Sequence, residues 1–170
     1  HLFPVKMNAK PKRSKSFLRY TLVSTLSVFL MISCSDDAYF NKMYEPTDQT
    51  WTYDDVLLFE PSIDDTIKKF DVYIQIEHLK SYPFQNLYFS FDYQEGDHSK
   101  RDTLNIDLIN KSGYYTGECG NTSCIANFLL YKDLQFKNPG IQKIKIQQLT
   151  RMDSLHSIQQ IALIVKDSQQ

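Results

Sequence analysis

Phe70-Asp71-Val72-Tyr73-Ile74-Gln75-Ile76-Glu77 sets an apolar residue at every second position. Successive side chains of an extended strand point to opposite faces, so Phe70, Val72, Ile74 and Ile76 share one face while Asp71, Tyr73, Gln75 and Glu77 share the other. A strand with one buried and one wet face is therefore predicted here. The same period recurs in Leu87, Phe89, Phe91 and Tyr93 against Tyr88, Ser90 and Asp92, in Leu104, Ile106 and Leu108 against Thr103, Asn105 and Asp107, and in Ile144 and Ile146 against Lys143, Lys145 and Gln147.

Three further strands are expected at 56–59, 129–136 and 161–166. The last is a nearly continuous apolar run, the pattern of a central strand covered on both faces. Turn signals stand between these segments at Gln94-Glu95-Gly96-Asp97, Asn110-Lys111-Ser112-Gly113 and Asn138-Pro139-Gly140. Short punctuated strands and 14% aromatic residues point to an all-β chain folded as an antiparallel β-sandwich of about seven or eight strands, Ig-like or jelly-roll-like. One short helix has room between Arg151 and Gln160.

Upstream of the strands the chain changes character. Lys6, Lys10, Lys12, Arg13, Lys15 and Arg19 precede an apolar run from Tyr20 to Ile32, and Ser33 leads into Cys34. About 20 apolar residues are needed to cross a bilayer, and this run of 13 is broken by Thr21, Ser24, Thr25 and Ser27. It reads as a secretory signal. A lipoprotein signal peptidase requires a small residue before the cysteine and an aliphatic one three positions back, and Met31-Ile32-Ser33-Cys34 fits. Cys34 is thus expected to be lipidated. Residues 1–33 are assigned to an upstream extension, ahead of Met7, and the lipoprotein signal peptide; 34–50 to the lipidated cysteine and a polar, turn-rich tether; and 51–170 to the sandwich. Tyr39, Phe40, Met43 and Tyr44 are apolar within that tether, and docking on the domain or on a partner is the other reading of them.

The leader holds six of the 19 basic residues and none of the 20 acidic ones. Residues 34–170 thus carry 13 basic side chains against 20 acidic ones, a net charge of −7. An acidic chain with no basic run beyond Lys68-Lys69 and Lys100-Arg101 is not expected to bind nucleic acid. Cys119 and Cys124 remain as a pair in an oxidising compartment, and the loop Gly120-Asn121-Thr122-Ser123 lets them form a disulfide. A metal site there would need His or Cys partners at fixed spacing, and no metal or cofactor is expected. No serine stands in a Gly-x-Ser-x-Gly elbow, and His78, His98 and His156 are scattered. Asp54-Asp55 and Asp64-Asp65 read as turn residues, because neighbours along a strand point apart and rarely converge on one ion. No catalytic residue is assigned.

Tyr82-Pro83-Phe84-Gln85-Asn86-Leu87-Tyr88-Phe89 is a separate signal. Pro83 fixes its own φ and biases Tyr82 towards extended backbone, and the Asn86 side chain can bond nearby backbone at a strand start. One reading is a structural corner; the other is a partner-binding patch of Tyr82, Phe84 and Tyr88, since exposed aromatics are favoured at interfaces.

Tyr-Pro-Phe-x-Asn-Leu-aromatic, followed by a strand and Asp102-Thr103-Leu104, resembles the gliding-motility lipoprotein H family (GldH) of the Bacteroidetes. Supporting matches are the region of Trp51 and Asp54-Asp55, the stretch from Gly113 to Gly120, Tyr131-Lys132-Asp133 where a strand begins, and Asn138-Pro139-Gly140 before a strand rich in Ile and Gln. The resemblance spans about Trp51 to Val165. It implies an outer-membrane lipoprotein, held by its lipid and possessing no catalytic activity, that works in gliding beside type IX secretion, with other motility or secretion lipoproteins and outer-membrane proteins as partners. In that lineage acidic residues after the lipidated cysteine mark export to the cell surface, and Ser35-Asp36-Asp37 is similar to such a signal. The pair Cys119 and Cys124 departs from the family pattern.

The rival reading is a surface lipoprotein that binds glycans by stacking sugar faces on an aromatic platform of Trp51, Tyr53, Tyr114 and Tyr115. It requires coplanar exposed rings. The competing account of Trp51 is that it fills the core.

Overall fold

A computed structural model describes residues 38–95 and 97–168. Thirteen strands are present among them: β1 (Phe40–Tyr44), β2 (Thr50–Thr52), β3 (Leu57–Phe59), β4 (Ser62–Ile63), β5 (Phe70–Leu79), β6 (Asn86–Glu95), β7 (His98–Asp107), β8 (Glu118–Cys119), β9 (Ser123–Leu134), β10 (Gly140–Ile141), β11 (Ile144–Gln148), β12 (Ser154–His156) and β13 (Ile158–Asp167). A five-stranded sheet runs β1-β13-β5-β9-β8 and a four-stranded sheet runs β3-β11-β6-β7. Two short ribbons, β10-β4 and β12-β2, complete the set. The pairings are antiparallel, and the expected all-β sandwich is what the chain forms.

The period-two pattern becomes the core. On β5, Phe70, Val72, Ile74 and Ile76 are buried, with Asp71, Tyr73, Gln75 and Glu77 on the wetter face. Ile161, Leu163 and Val165 of β13 pair with Ile76, Ile74 and Val72. From the other sheet Leu87, Phe89, Phe91, Ile144 and Ile146 meet them in one cluster. Fully burying a side chain of this size contributes about 1.5–3 kcal/mol relative to exposure, so this two-sided layer is the main source of stability.

Several expectations are corrected in detail. The segment 151–160 forms no helix: Ser154–His156 pairs with Thr52–Thr50, and Ser157 turns with φ +72° into β13. The strand expected at 129–136 runs from Ser123 to Leu134, and Tyr131-Lys132-Asp133 lies near its end rather than its start. Asp133, at φ +56°, breaks the extended backbone there. β13 sits between β1 and β5, but its second face is covered only in part: Ala162 is buried and Ile164 partly so. Finally, part of the segment assigned to a tether is strand. β1 pairs with β13 from Phe40↔Val165 to Tyr44↔Ile161, while Tyr39, Phe40 and Tyr44 pack against the core.

Register fixes which loops share a pole of the sandwich. Phe70 is flanked by Asp167 and Leu134, and Phe40 lies beside Val165, so the start of β1, the start of β5 and the ends of β9 and β13 belong to one pole. The Tyr39 hydroxyl donates to the Ser62 carbonyl at 2.8 Å and accepts from the Asp64 N–H at 3.2 Å, drawing the β4–β10 ribbon to the same place. Leu79 pairs with Ser123 and His78 with Cys124 at the opposite pole. Ten residues of β5 at about 3.3 Å each separate the two by about 30 Å.

Candidate functional site

The segment Tyr82 to Tyr88 forms the corner between β5 and β6, at the pole opposite Tyr39. It begins with a turn in which the Tyr82 N–H donates to the Leu79 carbonyl at 3.0 Å. Beyond the turn, neighbouring rings differ in burial. Tyr82 is buried, edge-on to Phe84 with centroids 5.6 Å apart and 5.8 Å from the His78 ring. Burial pushes its phenol well above the usual tyrosine range. Phe84 and Tyr88 stay exposed. The expected trio therefore divides: Tyr82 is a core residue of the corner, and Phe84 and Tyr88 remain at the surface.

Those two rings have company from a loop more than 60 residues later. Phe84, Asn86 and Tyr88 line a cleft of about 540 Å³ with Leu149, Arg151 and Met152. The Leu149 N–H donates to the Tyr88 carbonyl at 2.9 Å, continuing the β6–β11 ladder and pinning this loop beside the corner. Gln148 fixes its far side: its amide donates to the Met152 carbonyl at 3.0 Å, and its oxygen accepts from the Thr150 N–H at 2.9 Å. Sequence reasoning found Phe84 and Tyr88 but missed Leu149, Arg151 and Met152. The cleft offers two aromatic faces, a leucine and a thioether, with a guanidinium for an acidic group.

At the same pole the loops are tied to one another. The Cys119 and Cys124 sulfurs are bonded across the β8–β9 hairpin, with Cα atoms 4.0 Å apart. The Lys80 ammonium donates to the Gly120 carbonyl at 2.7 Å, and the Tyr115 hydroxyl donates to the Lys80 carbonyl at 3.1 Å. The Ser81 and Ser157 hydroxyls lie 2.9 Å apart. Gly117, at φ +88°, is forced by close approach as well as by conformation, because a Cβ there would overlap the Ile125 carbonyl and stand 2.7 Å from the Ala126 Cα.

The aromatic platform loses its largest ring. Trp51 is 0% exposed in the core, its indole N–H donating to the Asp55 carbonyl at 3.0 Å. Tyr53 and Tyr114 are exposed and Tyr115 is half-buried, so Trp51 is the member of the platform that the surface lacks. The aspartates act within their turns: Asp55 accepts from the Thr52 hydroxyl at 2.7 Å, and Asp65 from the Ile67 N–H at 2.8 Å. Among the histidines, His78 is buried and bonded through Nδ1 to the Leu79 carbonyl at 2.9 Å, while the His156 ring meets the Thr50 hydroxyl at 3.0 Å. Cys34, Ser35, Asp36 and Asp37 lie outside the described residues.

Comparison with known proteins agrees with the corner motif. Residues 38–165 match the GldH lipoprotein family. The gliding motility lipoprotein GldH of Flavobacterium johnsoniae is 30% identical over 128 residues, which cover 74% of this chain and 78% of that protein. Among solved structures, the Eiger TNF of S. frugiperda is similar at a TM-score of 0.32 and 12% identity over 79% of this chain and 96% of its own, a likeness too slight to carry an argument. The family match covers both main sheets and the whole Tyr82 to Tyr88 corner, and the chain belongs to the GldH lipoprotein family.

Proposed function

We propose that this protein is a lipoprotein of the gliding apparatus, anchored in the outer membrane through Cys34 and acting without catalysis beside type IX secretion. The observation that carries this reading is the family match across 38–165, which takes in the sandwich from β1 to all but the last two residues of β13. The lipid at Cys34 is inferred from the basic leader, the short apolar run and Ser33-Cys34, and Ser35-Asp36-Asp37 serves as the export signal to the cell surface. The working surface is the cleft of Phe84, Tyr88 and Met152, presented to motility or secretion proteins at the pole away from the lipid.

The test is replacement of the chromosomal gene by variants, with colony spreading and palmitate labelling as readouts. Cys34→Ala is expected to abolish both. Phe84→Asp combined with Tyr88→Asp is expected to abolish spreading while leaving labelling and protein level unchanged, since both side chains are exposed. Normal spreading of the Cys34→Ala strain would refute the anchored role. A photocrosslinker at position 84 that captures polysaccharide and no motility or secretion protein would favour the glycan reading.

A further inference from the structure

The pole of Tyr39 has a feature that the partner cleft does not use. The two most exposed aliphatic side chains among the described residues, Ile67 at 81% and Ile141 at 67%, both belong to it. Ile67 lies in the loop between β4 and β5; Ile141 lies on β10, whose pairing with Ser62 joins the two loops. Lys68 and Lys69 come directly after Ile67 and, with Lys132, line a depression of about 750 Å³ beside Asp65, Asp133 and Asp167. Asp167 pairs with Lys68 at 2.9 Å and the Asp65 side chain accepts from the Ile67 N–H at 2.8 Å. Three lysines thus stand beside three acids, and it is the two aliphatic tips rather than net charge that set this pole apart. Apolar tips backed by lysines are the composition of a segment that enters the boundary of a lipid layer, where the aliphatic group is buried and the ammonium meets phosphate.

Chain length says what covers this pole. Only five peptide steps separate Cys34 from Tyr39, and they span at most about 18 Å even fully extended. Tyr39 is itself bound to the pole: its hydroxyl bridges Ser62 and Asp64, and its ring packs on Phe70 at 4.9 Å. A lipid at Cys34 therefore holds this pole, and not the one about 30 Å away, next to the bilayer.

We infer that the Tyr39 pole lies on the membrane surface, with Ile67 and Ile141 entering the headgroup layer and Lys69 and Lys132 facing lipid phosphates. This rests on the lipidation of Cys34. The sandwich then stands on its tether pole with the Phe84 cleft directed away from the bilayer.

The experiment uses the full-length, natively processed protein reconstituted into phosphatidylethanolamine vesicles with and without phosphatidylglycerol. A fluorophore is placed at Ile67→Cys or, as the far-pole control, at Met152→Cys, and quenched by a nitroxide carried on the lipid headgroup. Quenching is expected to be several-fold stronger at position 67 than at 152. Lys69→Glu with Lys132→Glu is expected to reduce the docked population about fivefold per lysine in the anionic vesicles, while leaving position 152 unchanged. Equal quenching at both positions in a protein that palmitate labelling shows to be anchored overturns this inference alone. Shielding of position 67 that requires another protein overturns it too. Absence of the lipid overturns both this inference and the anchored role.

Discussion

The two poles of the sandwich are built from the same strands yet held differently. At the far pole, loops distant in sequence are cross-tied by the Cys119–Cys124 bond, by Lys80 to Gly120, by Tyr115 to Lys80 and by the Ser81 and Ser157 hydroxyls. The Tyr39 pole is tied without a covalent bond, by Tyr39 to Ser62 and Asp64, by Gln135 to Thr66 and by Asp133 and Ser168 to Asp71, and Ile67 of the β4–β5 loop and Ile141 of β10 stand out from it. Dense cross-ties fix a shape to which another surface can be complementary. A lipid headgroup layer has no fixed shape, and the contact proposed with one rests on apolar tips flanked by lysines.

The comparison breaks most completely if the layer joining the poles fails. Phe89→Ala empties a fully buried position between the sheets and is expected to cost about 3–5 kcal/mol, read as a lower urea midpoint with both poles lost together. Gly117→Ala sharpens it. The left-handed backbone and the overlap with Ile125 should cost about 2 kcal/mol, and hydrogen exchange should rise in the loops 80–86 and 113–122 while the Tyr39 pole keeps its protection. The smallest effect is acid-dependent and confined to the Tyr39 pole. The Asp133 N–H and the Ser168 hydroxyl, at 3.0 and 2.7 Å, hold the Asp71 carboxyl below its ordinary value of 3.8. The folded form binds that proton less tightly than the unfolded form does. The contribution is therefore present above the unfolded value and is lost as pH falls through the folded one. Asp71→Asn should flatten this acid limb slightly, because water screens so exposed a group, and leave stability at neutral pH nearly unchanged.

Much of the fold was legible because four strands alternate cleanly, and a period of two admits one buried face per strand. What escaped did so for local reasons. β1 is an edge strand in which Lys42, opposite Leu163, reaches the Leu58 carbonyl at 3.3 Å instead of burying an apolar group, so its pattern reads as polar linker. β12 is three residues long and ends at the left-handed Ser157, too short for any period to register. At the corner, the sequence marks Tyr82, Phe84 and Tyr88 as equivalent aromatics. Only the turn at Leu79–Tyr82 separates the buried ring from the exposed ones. Leu149 and Met152 reach the cleft through strand register, which no local motif encodes.

One contact between the sheets has a further consequence. β7 is the outermost strand of its sheet, and β9 beyond its short pairing with β8 borders its own, so both present unpaired backbone along one flank. There the Tyr131 hydroxyl on β9 donates to the Asp102 carboxylate on β7, and burial together with that bond raises the tyrosine's pKa. An inward-pointing carboxylate on a rim strand discourages a stranger from zipping alongside, because register would have to be made around a charge that is already spoken for. Edge-to-edge pairing along this flank would therefore have to accommodate the Asp102 charge and break its bond to Tyr131.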